Sequence, residues 1–268
     1  MSTMKLSSTP NEVMPFLGHL LELRRRLLYT VLAFGVAFGV SYLFAEDIFL
    51  FLTRPLVTAI GHAEGRRLIY TGLAEAFLSY IKVALFAASF LAFPIIANQL
   101  WLFIAPGLYA HERKAFLPFL VVTPILFLSG AAFAYFAVIP AAWQFFLQFE
   151  SAGTLNSLPI QLEARISEYL SIVMQLLLAF GICFELPVLL VLLARINLVQ
   201  AQTLIHKRKY AFLFILIISA LLTPPDVFSM IALATPLYGL YEGSIILIKL
   251  LEKHREKGIK RAGFKVDS

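Results

Sequence analysis

Between Leu27 and Ala45 no side chain carries a charge, and that run alone restricts the solvent in which the chain can fold. A surface helix of a soluble protein keeps a polar stripe toward water, whereas a helix that is apolar all round sits in a core or in lipid. Similar runs recur along the sequence. Of 268 residues, 60% are hydrophobic and only 14% charged, too apolar a balance for a water-soluble domain of this size. The expected fold class is an all-α integral membrane protein.

A hydrocarbon core of about 30 Å takes roughly 20 helical residues at about 1.5 Å each. That ruler predicts six transmembrane helices near 27–45, 76–104, 115–140, 167–194, 210–222 and 227–248, within a single polytopic membrane domain over 1–268 that ends in a basic tail at 249–268. The fifth segment makes a helix of only about 20 Å. Either the bilayer thins around it, or segments five and six, the short C-terminal spans, form a re-entrant hairpin.

Most of the 22 Lys and Arg residues fall before the first span, in the second and fourth connections and in the tail. The positive-inside rule then places both termini in the cytoplasm. Because the net charge of +6 is divided among these topology clusters, no nucleic acid is expected as a partner. Arg24, Arg25 and Arg26 ahead of an apolar run imitate a secretory signal, but the run 27–45 exceeds the usual core of roughly 7–15 residues and further spans follow it.

The two longer external loops, 46–75 and 141–166, contain Pro55, Gly61, Gly65, Gly153 and Pro159 and are expected to lie over the membrane surface. The first begins with apolar residues from Ile48, read as a short interfacial helix stopped at Arg54-Pro55. No internal repeat of fixed period is visible, which weighs against an inverted-repeat transporter. Cys183 is the single cysteine, leaving no intrachain disulfide and no metal-ligand spacing. Neither a phosphate loop nor a zinc-protease or serine-nucleophile motif is present, so no enzyme chemistry, cofactor or metal is expected.

Four places carry polar residues where an ordinary span would not. In His19-Leu-Leu-Glu22-Leu-Arg24-Arg25-Arg26, a carboxylate sits inside a basic cluster; the plain reading is a membrane anchor with Glu22 and Arg26 paired at i, i+4. Phe103-Ile-Ala-Pro-Gly-Leu-Tyr-Ala-His-Glu112-Arg-Lys makes a tight cytoplasmic turn, and Glu112 reads plainly as a helix-start carboxylate. Glu185 lies about 15 Å from the end of its span at Arg195, where an ionisable group costs at least about 2.5 kcal/mol to insert. It is therefore neutral, paired or facing a wet cavity, as a functional group or as a structural hydrogen bond. Leu221-Leu-Thr223-Pro-Pro-Asp226-Val-Phe-Ser229 reads as a turn in which Asp226 caps the following helix. Gly35 and Gly39 form a small-residue pair suited to helix packing, and Lys82 lies within a span, where a lysine snorkels outward.

In these four segments, in this order and with six spans, the chain resembles the TatC family, the multispanning core subunits of the twin-arginine protein translocase. The resemblance covers nearly the whole chain. It implies a concave, glove-like helix arrangement in the bacterial cytoplasmic (inner) membrane and a receptor for folded export substrates whose signal peptides carry an Arg pair. It further implies TatA- and TatB-type single-span partners, assembly with other copies of itself, and transport driven by the proton gradient. Carried over by position, Glu22 and Glu112 match acidic residues of the signal-peptide site, with Arg24 and Phe103 as neighbours. Glu185 matches a buried glutamate on the concave side, Pro55 a proline of the first external loop, and Thr223 with its adjoining helices, Asp226 included, a region where partner helices dock. Paired carboxylates suit this task because they accept guanidinium bidentately, which an ammonium does not reproduce. Two rivals from other classes are a proton-coupled transporter of a small solute using Glu185 and Lys82, and an assembly scaffold without transport.

Overall fold

The computed structural model describes residues 14–61, 67–104, 117–151, 158–196, 198–223 and 226–261. Within them the chain is helical, with only isolated bridges at Ile69–Arg165 and Ser151–Ile160 in place of strands. The helices are α1 (Met14–Leu43), α2 (Ala45–Ile60), α3 (Glu75–Ile104), α4 (Leu117–Phe133), α5 (Ile139–Leu147), α6 (Ile166–Cys183), α7 (Leu186–Arg195), α8 (Ala201–His206), α9 (Arg208–Leu222) and α10 (Val227–Arg261), with a π-helical segment, Ala134–Val138, joining α4 to α5.

Five stretches among the described residues are long and apolar enough to cross a membrane: Leu20–Leu43, Glu75–Phe103, Phe119–Leu147, Ile166–Arg195 and Val227–His254. The third and fourth each unite two helices. At 15 residues, α9 is only about 22 Å long and is not among the five. Large apolar side chains such as Leu32, Leu43 and Phe136 are exposed, as helices solvated by lipid require.

The core forms where α6 packs on α3 and α4 and where α10 covers α7 and α9. Phe127, Phe180, Leu170, Leu233, Leu237 and Ile248 are among its fully enclosed side chains. The first helix lies apart from this core and packs along α3, where Ala37 meets Ala88 and Ala92. Gly35 and Gly39 are exposed, with nothing within 4 Å of a Cβ placed on either. The close approach of α1 to α3 therefore uses alanines, and the glycine pair faces away from the described helices.

Four boundaries differ from the sequence expectations. Helix α2 does not stop at Arg54-Pro55 but continues to Ile60. Helicity after the third span's expected limit of 140 extends to Leu147. The fourth span is interrupted at Phe184-Glu185, where Pro187 in the first turn of α7 has no N–H to continue the ladder. Helix α10 also runs to Arg261, well into the segment read as a tail.

Candidate functional site

Glu22 lies on the first turns of α1 with one oxygen, Oε1, accepting from both Nε (3.1 Å) and Nη2 of Arg26. This is the i, i+4 pair expected from the sequence. Arg26 reaches further, its Nη1 lying 3.5 Å from Oε1 of Gln99 near the end of α3. The start of α1 and the end of α3 are thus held together. Phe103 follows Gln99 by four residues and shares its helical face; it is half-buried. Arg24 and Arg25 are exposed, and the Arg25 guanidinium lies 5.7 Å from the centre of the Tyr29 ring. Glu112 lies outside the described residues.

Glu185 occupies the break between α6 and α7. Its carboxyl group faces Thr123 and Phe127 of α4, while its Oε1 is buried without a hydrogen-bond partner. The neighbouring Thr123 hydroxyl accepts from Trp101 Nε1 at 3.2 Å, a buried bond joining α3 to α4. Two glycines set this crossing. A Cβ on Gly130 would meet the Phe180 carbonyl oxygen at 2.5 Å, and one on Gly181 would meet the Phe127 ring at 2.7 Å. Sequence reasoning missed both, because they lie on different helices, although Gly130 and Ala134 form a small-residue pair that signals a close helix approach.

Pro55 is buried inside α2. Its missing N–H leaves the Phe51 carbonyl without its helical donor, and the Tyr135 hydroxyl supplies a replacement at 2.7 Å. The Tyr135 ring also stacks on Phe51 with centroids 4.4 Å apart. A second hydroxyl, from Tyr169 on α6, donates to the adjacent Leu52 carbonyl at 2.7 Å. These two bonds carry α2 through the proline and fasten it to the bundle.

Thr223 ends α9, its hydroxyl donating to the Ser219 carbonyl at 2.8 Å. Asp226 accepts the Ser229 N–H through Oδ1 at 2.6 Å, the cap read from the sequence. Its Oδ2 and the Ser219 hydroxyl oxygen are buried without partners, while Gln175 of α6 donates to the Leu222 carbonyl at 2.9 Å. The α9–α10 turn thereby combines buried polar groups with a firm attachment to α6.

Lys82 is exposed on α3 and forms no ion pair with Glu185 or any other described residue. No group of three or more His, Cys, Asp or Glu side chains suited to a metal occurs among the described residues. A cavity of about 670 Å³ opens between α1, α2, α3 and α4, lined by apolar side chains including Phe44, Phe51, Phe90, Leu128 and Phe136.

Long apolar spans, an apolar exterior and a carboxyl group set into a helix break define a multi-pass α-helical membrane protein. Residues 18–236 match the model of the Sec-independent protein translocase protein (TatC) family. The TatC protein of Rickettsia prowazekii (strain Madrid E) is 46% identical over 91% of this chain and 96% of its own length, and that of Escherichia coli (strain K12) is 40% identical over 86% of each. A crystal structure of the twin-arginine translocase receptor TatC superposes with a TM-score of 0.73 at 37% identity, covering 87% of this chain and 98% of that one. The chain belongs to the TatC family, and it is a subunit of a protein translocase.

Proposed function

We propose that this subunit binds the paired-arginine signal peptides of folded proteins at the cytoplasmic face and organises their proton-gradient-driven passage across the bacterial inner membrane. The observation that carries this reading is the position of Glu22, a part-exposed carboxylate held beside the end of α3 through Arg26 and Gln99. Phe103 shares that face of α3, and the segment bearing Glu112 follows directly in the sequence. Two carboxylates at one membrane face would accept two guanidinium groups, each by a pair of parallel hydrogen bonds. After docking, the apolar part of the signal moves along the concave side of the glove-like bundle toward Glu185.

The proposed topology has six spans with both termini cytoplasmic, α9 and the first part of α10 providing the fifth and sixth. A span as short as α9 draws the bilayer inward and makes a weak point where TatA-type helices gather. TatB-type partners and other copies of this chain complete the assembly, with Thr223 and Asp226 in the region that receives partner helices. The solute-transporter alternative has no support from the separation of Lys82 and Glu185.

The test is binding of a twin-arginine signal peptide to Glu22→Ala, Glu112→Ala and the double variant. Each single change should weaken binding and the double change should abolish it; unchanged affinity in the double variant overturns the docking model. Photocrosslinking from Phe103 to a twin-arginine precursor separates a receptor from a scaffold. Spin labels along 210–248 test the thinning, which fails if Thr223 lies at ordinary headgroup depth in an undeformed bilayer.

A further inference from the structure

Glu22 already holds a guanidinium group. Arg26 directs two nitrogens at one carboxylate oxygen, and its third nitrogen points at Gln99. Within the chain, Arg26 therefore presents to Glu22 the same chemistry that an arriving arginine would present. We propose that Arg26 is an internal competitor at the signal-peptide site, a guanidinium that must leave Oε1 before the signal's arginine can engage both oxygens. This rests on the receptor reading above and adds to it the residue that sets the discrimination between arginine and lysine.

The argument follows from the geometry of the fork. A bidentate guanidinium–carboxylate pair uses both oxygens, and Arg26 occupies one of them twice. An incoming arginine that forms two parallel bonds offsets the loss of the Arg26 contacts. An ammonium is a compact, strongly hydrated point charge with no planar fork, so it gains too little to displace Arg26. The displaced side chain also has somewhere to go. Gln99 Oε1 lies at the outer limit of hydrogen-bond distance, so Arg26 can pass from carboxylate to amide without losing every partner. Side-chain exposures of 19% for Arg26 and 32% for Glu22 leave the pair accessible to water, which lowers the cost of opening it.

The experiment uses the full chain in lipid nanodiscs and two fluorescent signal peptides that differ only in an Arg-Arg or a Lys-Lys pair. Arg26→Gln should bind the Arg-Arg peptide about two- to fivefold tighter, the range set by opening a part-exposed ion pair. The Lys-Lys peptide should gain more, narrowing the preference. Gln99→Ala should weaken Arg-Arg binding when Arg26 is present and have no effect in the Arg26→Gln background, a dependence that a purely structural role would not produce. Should Arg26→Gln fail to accumulate in the membrane, Arg26→Lys keeps the charge, loses the fork and carries the same expectation. Unchanged or weaker binding by the folded Arg26 variant overturns the proposal and makes Arg26 an orienting partner of Glu22. Wild-type binding that ignores Glu22→Ala instead overturns the receptor reading itself, so the two failures are distinguishable.

Discussion

Glu75 and Arg165, 90 positions apart in the chain, meet where the segments 67–74 and 158–165 join the bundle. Glu75 Oε1 accepts from the Ser167 hydroxyl at 2.7 Å and Arg165 Nε at 3.1 Å, while Oε2 accepts the N–H groups of Thr71 and Gly72 at 2.9 and 3.1 Å. Just beyond, Ile69 exchanges backbone bonds with Ala164 and Ile166. One carboxylate thus caps the start of α3 and ties it to the segment leading into α6.

Removing that carboxylate should loosen both loops together. Glu75→Ala is expected to lower the thermal unfolding midpoint in detergent by several degrees and to speed proteolysis in both 67–74 and 158–165. Arg165→Ala should do less, because the backbone and Ser167 donors remain. Protection of either loop in Glu75→Ala would contradict the shared tether.

The hydroxyl of Tyr135 and the ring of Pro55 should be energetically coupled. Tyr135→Phe leaves the Phe51 carbonyl without a donor and should cost about 1–1.5 kcal/mol. In a Pro55→Ala background, the restored backbone N–H can take that carbonyl, and the same tyrosine change should cost appreciably less. A double-mutant cycle on unfolding free energy measures the difference.

Glycine substitutions should separate by what the new methyl group meets. Gly130→Ala forces a backbone carbonyl away and should cost about 1–3 kcal/mol or more. Gly181→Ala meets a ring that can shift and should cost less. Gly35→Ala and Gly39→Ala meet open space and should leave the folded fraction in the membrane unchanged.

Glu185 should trade stability against transport. Glu185→Leu relieves a buried carboxyl oxygen of its missing partner and should raise the unfolding midpoint, since an ionisable group in a span costs about 2.5 kcal/mol or more on insertion scales. Under the proposed mechanism the same variant should export twin-arginine precursors poorly. Full export by Glu185→Leu would remove Glu185 from the mechanism.

Local chemistry was the part of this protein most open to reading. Asp226 caps the helix that begins one residue later, and Glu22 pairs with an arginine one turn away; both depend on spacing along a single element. Pro55 reads as a stop in the sequence because the donor that rescues its helix, Tyr135, comes from a distant element. The break at Glu185 had a visible proline, but Ile166–Arg195 is apolar enough as a whole to read as one span. Glu75–Arg165 and the Gly130–Gly181 crossing involve partners on separate elements, and no periodicity in one sequence brings such partners together.

The π-helical segment Ala134–Val138, closed by the Ile139 N–H to Ala134 carbonyl bond, is in effect an α-helix holding one surplus residue. Relatives that lack one residue at this point could keep an ordinary helix with every later side chain in register, while losing the local bulge that accompanies Tyr135. An alignment gap there would accordingly report a change in how α2 is fastened, leaving the path of the span unaltered.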